Sequence, residues 1–220
     1  MLDSFEVSKT LIIAPLRVAR DTWPDEVGKW DHLKNLDISV MVGDVKQRVG
    51  ALNHPALVYV INRENIKWLV EYYERNGLRW DFDMVVIDEL SSFKSHQSQR
   101  FKWLRKVRPF VKRMVGLTGT PASNGLMDLW AEVGILDGGQ RLGKFIGRFR
   151  EAYFKPGGMN PASETAVSYT TRLITGFLLR GQLRNTACLL ALSGGQEKTA
   201  SGPSRKKSCF GKLSRGKSGE

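Results

Sequence analysis

The sequence predicts an α/β fold built on a parallel sheet, and three observations lead there. Short apolar runs alternate with longer segments whose apolar residues recur at helical spacing, as a parallel sheet with crossover helices requires. One run, Phe82-Asp83-Met84-Val85-Val86-Ile87, ends directly in Asp88-Glu89. Another, Met114-Val115-Gly116-Leu117, ends in Thr118-Gly119-Thr120-Pro121. Strands buried on both faces read as such near-continuous runs, and open parallel sheets bind their ligands at the carboxyl edge, where both polar endings would lie.

Taken in order, strands are expected near Thr10–Ala14, Ile38–Val42, Leu57–Ile61, Met84–Asp88 and Arg113–Thr118. Between the first two, Asp21 to Glu26 combines Pro24 with acids suited to a helix start, and Val27 and Trp30 would form its apolar face. Asn62 can cap a helix through Ile66, Leu69, Val70 and Tyr73 that Asn76-Gly77 would end. Phe101, Leu104 and Val107 space a third helix before Pro109. Ser123 or Asn124 can open a fourth, along which Leu126, Leu129, Trp130, Val133 and Leu136 recur, and Arg141 to Phe154 forms the last. These apolar stripes are core positions.

The polar endings carry the chemistry. At a sheet's carboxyl edge the first acid, Asp88, can hold Mg²⁺ on nucleotide phosphates, and the second, Glu89, can orient or deprotonate an attacking water. The same pattern also suits a strand that ends in a solvated acidic turn. Thr118, Gly119 and Thr120 suit a tight loop able to hydrogen-bond the acidic turn; a plain strand-ending turn is the alternative.

At this point the residues resemble a family. Thr10 to Arg17, followed by Trp23, Glu26 and Trp30, is similar to motif Ia of superfamily 2 helicases of the Snf type, the chromatin-remodeller-like branch. Val58 to Asn65 resembles motif Ib, Val86 to Lys94 motif II, and Gly116 to Trp130 motif III. The likeness covers residues 9 to 155 and is strongest to compact helicase-like proteins of phages and prophages. It implies a RecA-like first lobe of a DNA-dependent ATPase that uses ATP and Mg²⁺, with Asp88 on the metal and Glu89 on the water. It also implies Thr118 to Thr120 as the coupling loop, nucleic-acid contacts around Arg17, Asn62 and Arg63, duplex DNA as partner, and a bacterial or phage-infected cytoplasm.

The family places a Gly-Lys-Thr phosphate loop before motif Ia, whereas only residues 1–9 precede Thr10 here. The expectation is therefore a first lobe truncated at its N-terminus, lacking ATPase activity by itself, with β-sheet edge exposed beside the motif III strand and a second RecA-like lobe supplied elsewhere or by a separate polypeptide. Without catalysis, the chain would be a nucleic-acid-binding remnant. Gly211 to Ser218 spells G-x-x-x-x-G-K-S, but it follows a polar stretch rather than a strand and leaves no room for the helix such a loop opens.

Charge divides the chain. Of the formal +12, residues 171–220 carry +8 and residues 1–170 carry +4. Within the latter, Lys94, Arg100, Lys102, Arg105, Lys106, Arg108, Lys112 and Arg113 form an acid-free basic segment, either a solvated helix face or a phosphate-contacting one. Lys94, Arg105 and Lys106 are the candidate DNA contacts there. Residues 1–165 are read as the partial helicase domain and 166–220 as an irregular basic tail, compatible with a frameshifted gene end, with an amphipathic helix over 173–192 as the alternative. Cys188 and Cys209 support no disulfide framework, the three histidines are scattered, and no segment has the apolar length of a membrane span.

Overall fold

The computed structural model describes residues 7–119, 126–156, 164–166 and 187–191. The five expected strands form β1 (Thr10–Ala14), β2 (Ile38–Met41), β3 (Val58–Asn62), β4 (Met84–Asp88) and β5 (Arg113–Thr118). They pair side by side in the order β2-β3-β1-β4-β5, all in parallel. A short antiparallel ribbon joins β6 (Phe154–Pro156) to β7 (Glu164–Ala166). The helices are α1 (Trp23–Lys29), α2 (Val45–Asn53), α3 (Ile66–Arg75), α4 (Gln99–Val107), α5 (Leu126–Asp137) and α6 (Ile146–Tyr153).

Alternation along each strand divides the core in two. Leu11, Ile13, Tyr59, Ile61, Val85, Ile87 and Met114 point to the face that α2 to α6 cover. Ile12, Ala14, Val58, Val60 and Val86 point to the other, where Ala19, Val18 and Trp23 pack. The connection leaving β1 therefore crosses one face toward β2, while those leaving β3 and β4 cross the opposite face in the opposite direction. Right-handed crossovers demand this arrangement. The strand order reverses at β1 and β4, so a crevice opens between their carboxyl ends, the place where open α/β sheets take ligands.

Several expectations need correction. The outer edge of β5 is not bare: β8 (Ala187–Ala191) pairs with it in parallel, from Met114↔Ala187 to Thr118↔Ala191. Those five residues are a strand rather than part of a helix over 173–192, because an apolar run beside an open strand gains a full ladder of hydrogen bonds there. Residues 192–220, including the Gly211 to Ser218 pattern, lie outside the described residues, as do Ser123 and Asn124. The segment after β1 does not bury Val27 and Trp30; Trp30 is 54% exposed. A π-turn over Val18–Thr22 precedes α1 and rotates its phase, so that Ala19 and Trp23 face the sheet instead.

Asn62 ends β3 without a capping bond, and its amide instead bonds the side chains of Glu64 and Asn65. Helix α2 is an addition to the expected set. Asp44 and Gln47 build a reciprocal capping box at its start, and its core face is carried by Leu52 and by Arg48, whose guanidinium lies 4.3 Å from the centre of the Trp68 ring.

Candidate functional site

Asp88 closes β4 in register with Leu117 of β5 and faces the β1–β4 crevice. Its Oδ2 accepts a hydrogen bond from the indole Nε1–H of Trp23, 3.2 Å away. Glu89 follows in the left-handed region, φ 61° and ψ 64°, the one non-glycine residue with positive φ among the described residues. An L-residue there costs on the order of 1–2 kcal/mol. What holds it is the packing that follows: Leu90 and Phe93, in a 3-10 turn over Leu90–Phe93, are fully buried. The Ser91 hydroxyl donates to Glu89 Oε1, and the Ser92 amide donates to its carbonyl at 3.0 Å. Glu89 is thereby aimed and braced.

Gly116 of β5 makes the room for this turn. A Cβ on it would lie 2.6 Å from Leu90 Cδ2 and 3.3 Å from Leu136 Cδ2. Two residues on, Thr118 ends β5 at 2% exposure, and Gly119 is exposed beyond it. Thr120 lies outside the described residues. Asp88, Thr118 and the exit of β1 thus stand side by side at one edge.

The basic candidates divide by edge. Arg17 is exposed directly after β1 and opens the π-turn. Arg63, immediately after β3, pairs with Glu64 at 2.9 Å. Burial raises the Glu64 carboxyl, but hydrogen bonds from Arg63, from its own backbone and from Asn62 bring it below its ordinary value. Asn62 is 6% exposed with both ends of its amide engaged, so it shapes the loop that presents Arg63. Beside these lies an open pocket of about 640 Å³ whose lining mixes the apolar Leu16, Val40 and Val42 with Arg20, Gln47 and Asn62. Lys94, soon after Glu89, sits 4.0 Å from Asp128 at the start of α5.

Arg105 and Lys106 are not brought to this edge. They end α4, which runs back from the carboxyl end of β4 to the amino end of β5. There Lys106 pairs with Glu74 at 2.5 Å and lies over the Trp103 ring. Trp23, Ser91 and Arg20 are the additions that the sequence reading assigned no role.

The donor set suits a hard cation. Among the described residues no three or more His, Cys, Asp or Glu side chains converge as a cage. Magnesium in nucleotide sites instead takes one or two carboxylates and completes its shell with phosphates and water, a donor set that the part-buried carboxylates of Asp88 and Glu89 can supply. Among the described residues, no helix is long and apolar enough to cross a membrane.

Comparison with known proteins adds the following. Residues 3–145 match the family model described as SNF2-related domain. The chain is 41% identical over 160 residues to protein p41 of the Acyrthosiphon pisum secondary endosymbiont phage 1, an alignment covering 70% of this chain and 34% of that protein. It is 30% identical over 138 residues to an uncharacterized ATP-dependent helicase of Mycoplasma genitalium, covering 60% and 12% of the two. Over 129 residues it is 30% identical to the ISWI chromatin-remodeling complex ATPase ISW2 of Saccharomyces cerevisiae, covering 57% and 11%. In structure it is similar to the SWI2/SNF2 ATPase core of Sulfolobus solfataricus, solved in complex with dsDNA, with a TM-score of 0.59 at 20% identity over 86% of this chain and 35% of that one. The chain spans about a third of the phage relative and about a tenth of the other two.

Proposed function

We propose that this chain, which belongs to the SNF2-related domain family, contributes the acid-bearing half of a nucleotide site to an ATP-dependent translocase acting on duplex DNA. The observation that carries this reading is the β1–β4 switch point at the carboxyl edge of the sheet, where Asp88 accepts a hydrogen bond from Trp23 and a braced, left-handed Glu89 follows it.

In this reading Asp88 binds Mg²⁺, which would neutralise charge on the phosphates of ATP. Glu89 orients the attacking water, held in place by Ser91 and by the buried Leu90 and Phe93. Thr118, Gly119 and Thr120 register the state of the site and pass it to the DNA-facing loops. Arg17 and Arg63 contact DNA phosphates, with Asn62 positioning the second and Lys94 joining from the motif II side. Residues 1–165 form the working domain, and residues 166–220 add β8 and a basic segment. The chain acts in the cytoplasm of a bacterial or phage-infected cell, a setting that the phage relative supports.

The phosphate cradle and the facing second lobe would come from sequence outside these 220 residues, in the same polypeptide or another. Taken by itself, the chain then binds DNA without turnover. The related second reading is a non-catalytic nucleic-acid-binding remnant, a role that the exposed Arg17 after β1 would serve without hydrolysis.

ATP hydrolysis with and without duplex DNA, compared between the chain and Glu89→Gln, tests this, with DNA binding followed by fluorescence anisotropy. The expected result is salt-sensitive DNA binding and no stimulated turnover in either protein. Stimulated turnover lost in Glu89→Gln would overturn the inactive reading of the isolated chain and favour a complete site. Absence of DNA binding would overturn the nucleic-acid reading.

A further inference from the structure

The contact between Trp23 and Asp88 joins two parts of the molecule that sequence keeps 65 residues apart. Trp23 is half-buried against the sheet face formed by Ile12, Ala14 and Val86, and it is both the first residue of α1 and the C-terminal cap of the π-turn. That π-turn begins one residue after the exposed Arg17, is itself exposed at Arg20, and is fixed to the core by Ala19. Short π-turns are an uncommon geometry that recurs at functional positions in helices. One end of this segment therefore faces solvent beside the open pocket that Arg20 and Asn62 help to line, and the other donates a hydrogen bond to the carboxylate of Asp88.

We infer that Trp23 is a positioning residue coupling DNA to the nucleotide acid: its indole N–H holds Asp88 Oδ2 when no cation is bound, and a phosphate backbone engaging Arg17 and Arg20 shifts the π-turn and releases it. A carboxylate oxygen that accepts an indole hydrogen bond has part of its donor capacity occupied, so a cation arriving at that oxygen must displace the N–H or share the oxygen with it. DNA and cation then favour the same released arrangement, and by linkage each strengthens the binding of the other. The inference rests on the proposed reading of Asp88 as the metal acid and of the β1 exit as a DNA contact.

The test uses the whole 220-residue chain labelled with ¹⁵N and needs no ATP turnover. Six tryptophans give six indole N–H resonances, and the one missing from Trp23→Phe is Trp23; circular dichroism checks that this variant and Asp88→Asn stay folded. The expected result is that the Trp23 resonance moves when Asp88 becomes Asn, moves when Mg²⁺ is added to the wild type but not to Asp88→Asn, and moves again when a short duplex is added. Mg²⁺ should also change duplex affinity, read by anisotropy, differently in the wild type and in Trp23→Phe, by a factor on the order of 5 or more; bulk screening acts equally on both and drops out. A Trp23 resonance that follows Mg²⁺ but is unmoved by bound duplex would overturn the coupling while leaving Asp88 as the metal acid. A resonance indifferent to Mg²⁺ would overturn the metal part, and anisotropy showing no duplex binding would overturn the DNA reading beneath both.

Discussion

Lys112 Nζ lies 2.8 Å from Asp83 Oδ1 at the amino edge of the sheet, tying the entry of β5 to the entry of β4. The same carboxylate accepts from the Ser8 amide at 3.0 Å and from the Ser8 hydroxyl, so the segment entering β1 is bound in as well. Burial pushes the Asp83 carboxyl up, but Lys112 and Ser8 outweigh it and hold it at about 2, below the ordinary 3.8. A depressed folded-state value stabilises the protein above the unfolded value and is lost as pH falls through the folded one. The chain should therefore lose on the order of 2 kcal/mol between about pH 4.5 and pH 2 from this group. Urea denaturation across that range checks it, and Asp83→Asn should flatten the pH dependence while lowering stability at pH 7.

Gly116 sets the distance between β5 and the turn that carries Glu89. Gly116→Ala would drive a methyl carbon to 2.6 Å from Leu90 Cδ2, and overpacking of a filled core costs about 1–3 kcal/mol. A fall in the urea midpoint is expected. Wild-type stability in this variant would mean that Leu90 has room to move, and that the brace on Glu89 is looser than described.

Glu89 bears the opposite signature. Its left-handed backbone is strained for any residue with a Cβ, so Glu89→Gly relieves strain while deleting one hydrogen bond from Ser91. The variant is expected to be at least as stable as the wild type in thermal denaturation, whereas most substitutions at a part-buried site destabilise. A loss above about 1 kcal/mol would show that the glutamate is retained for packing rather than for chemistry.

Asp137 organises the exit of α5. At 5% exposure its carboxylate accepts from the amides of Gly139 at 2.8 Å, Gln140 at 3.2 Å and Arg141 at 3.0 Å. Asp137→Ala strands those donors and should cost roughly 2–3 kcal/mol. Asn keeps one acceptor oxygen and should cost less, an ordering that a chemical denaturation series reads directly.

Much of the sheet was legible because strands buried on both faces announce themselves as Val- and Ile-rich runs, as β3 and β4 do. Helices α3 and α4 were legible too, since Ile66, Leu69, Val70 and Tyr73, and then Phe101, Leu104 and Val107, recur at helical spacing and all are buried. Helix α2 escaped because half of its inward face is an arginine: Arg48 counts as polar in any pattern, and its burial is made tolerable by the Trp68 ring against its guanidinium and by its Nε–H donating to the Asp44 carbonyl at 3.2 Å. The misassigned face after β1 has a similar origin, because a π-turn changes the period on which face assignment depends. The pairing of β8 with β5 involves segments about 70 residues apart, and nothing local in either states it.

The candidate site divides in the same way. Asp88 and Glu89 were readable from a strand that ends in acids. Trp23 was visible only as a motif letter, since its meaning depends on β1 and β4 being neighbours with connections that leave in opposite directions. Arg105 and Lys106 stand near Lys94 in sequence, yet α4 carries them along its length to the far edge of the sheet.

That separation permits the most direct test of the claim that the carboxyl edge is the working edge. Affinity for a fluorescently labelled duplex should be measured over a range of salt concentrations for the wild type, for Arg17→Ala/Arg63→Ala and for Arg105→Ala/Lys106→Ala. Each phosphate contact removed lowers the slope of log affinity against log salt by about 1. The first double variant is expected to bind more weakly with a slope reduced by about 2, and the second to match the wild type. The reverse pattern, with binding lost only when Arg105 and Lys106 are replaced, would contradict the assignment and place the DNA on the opposite side of the sheet.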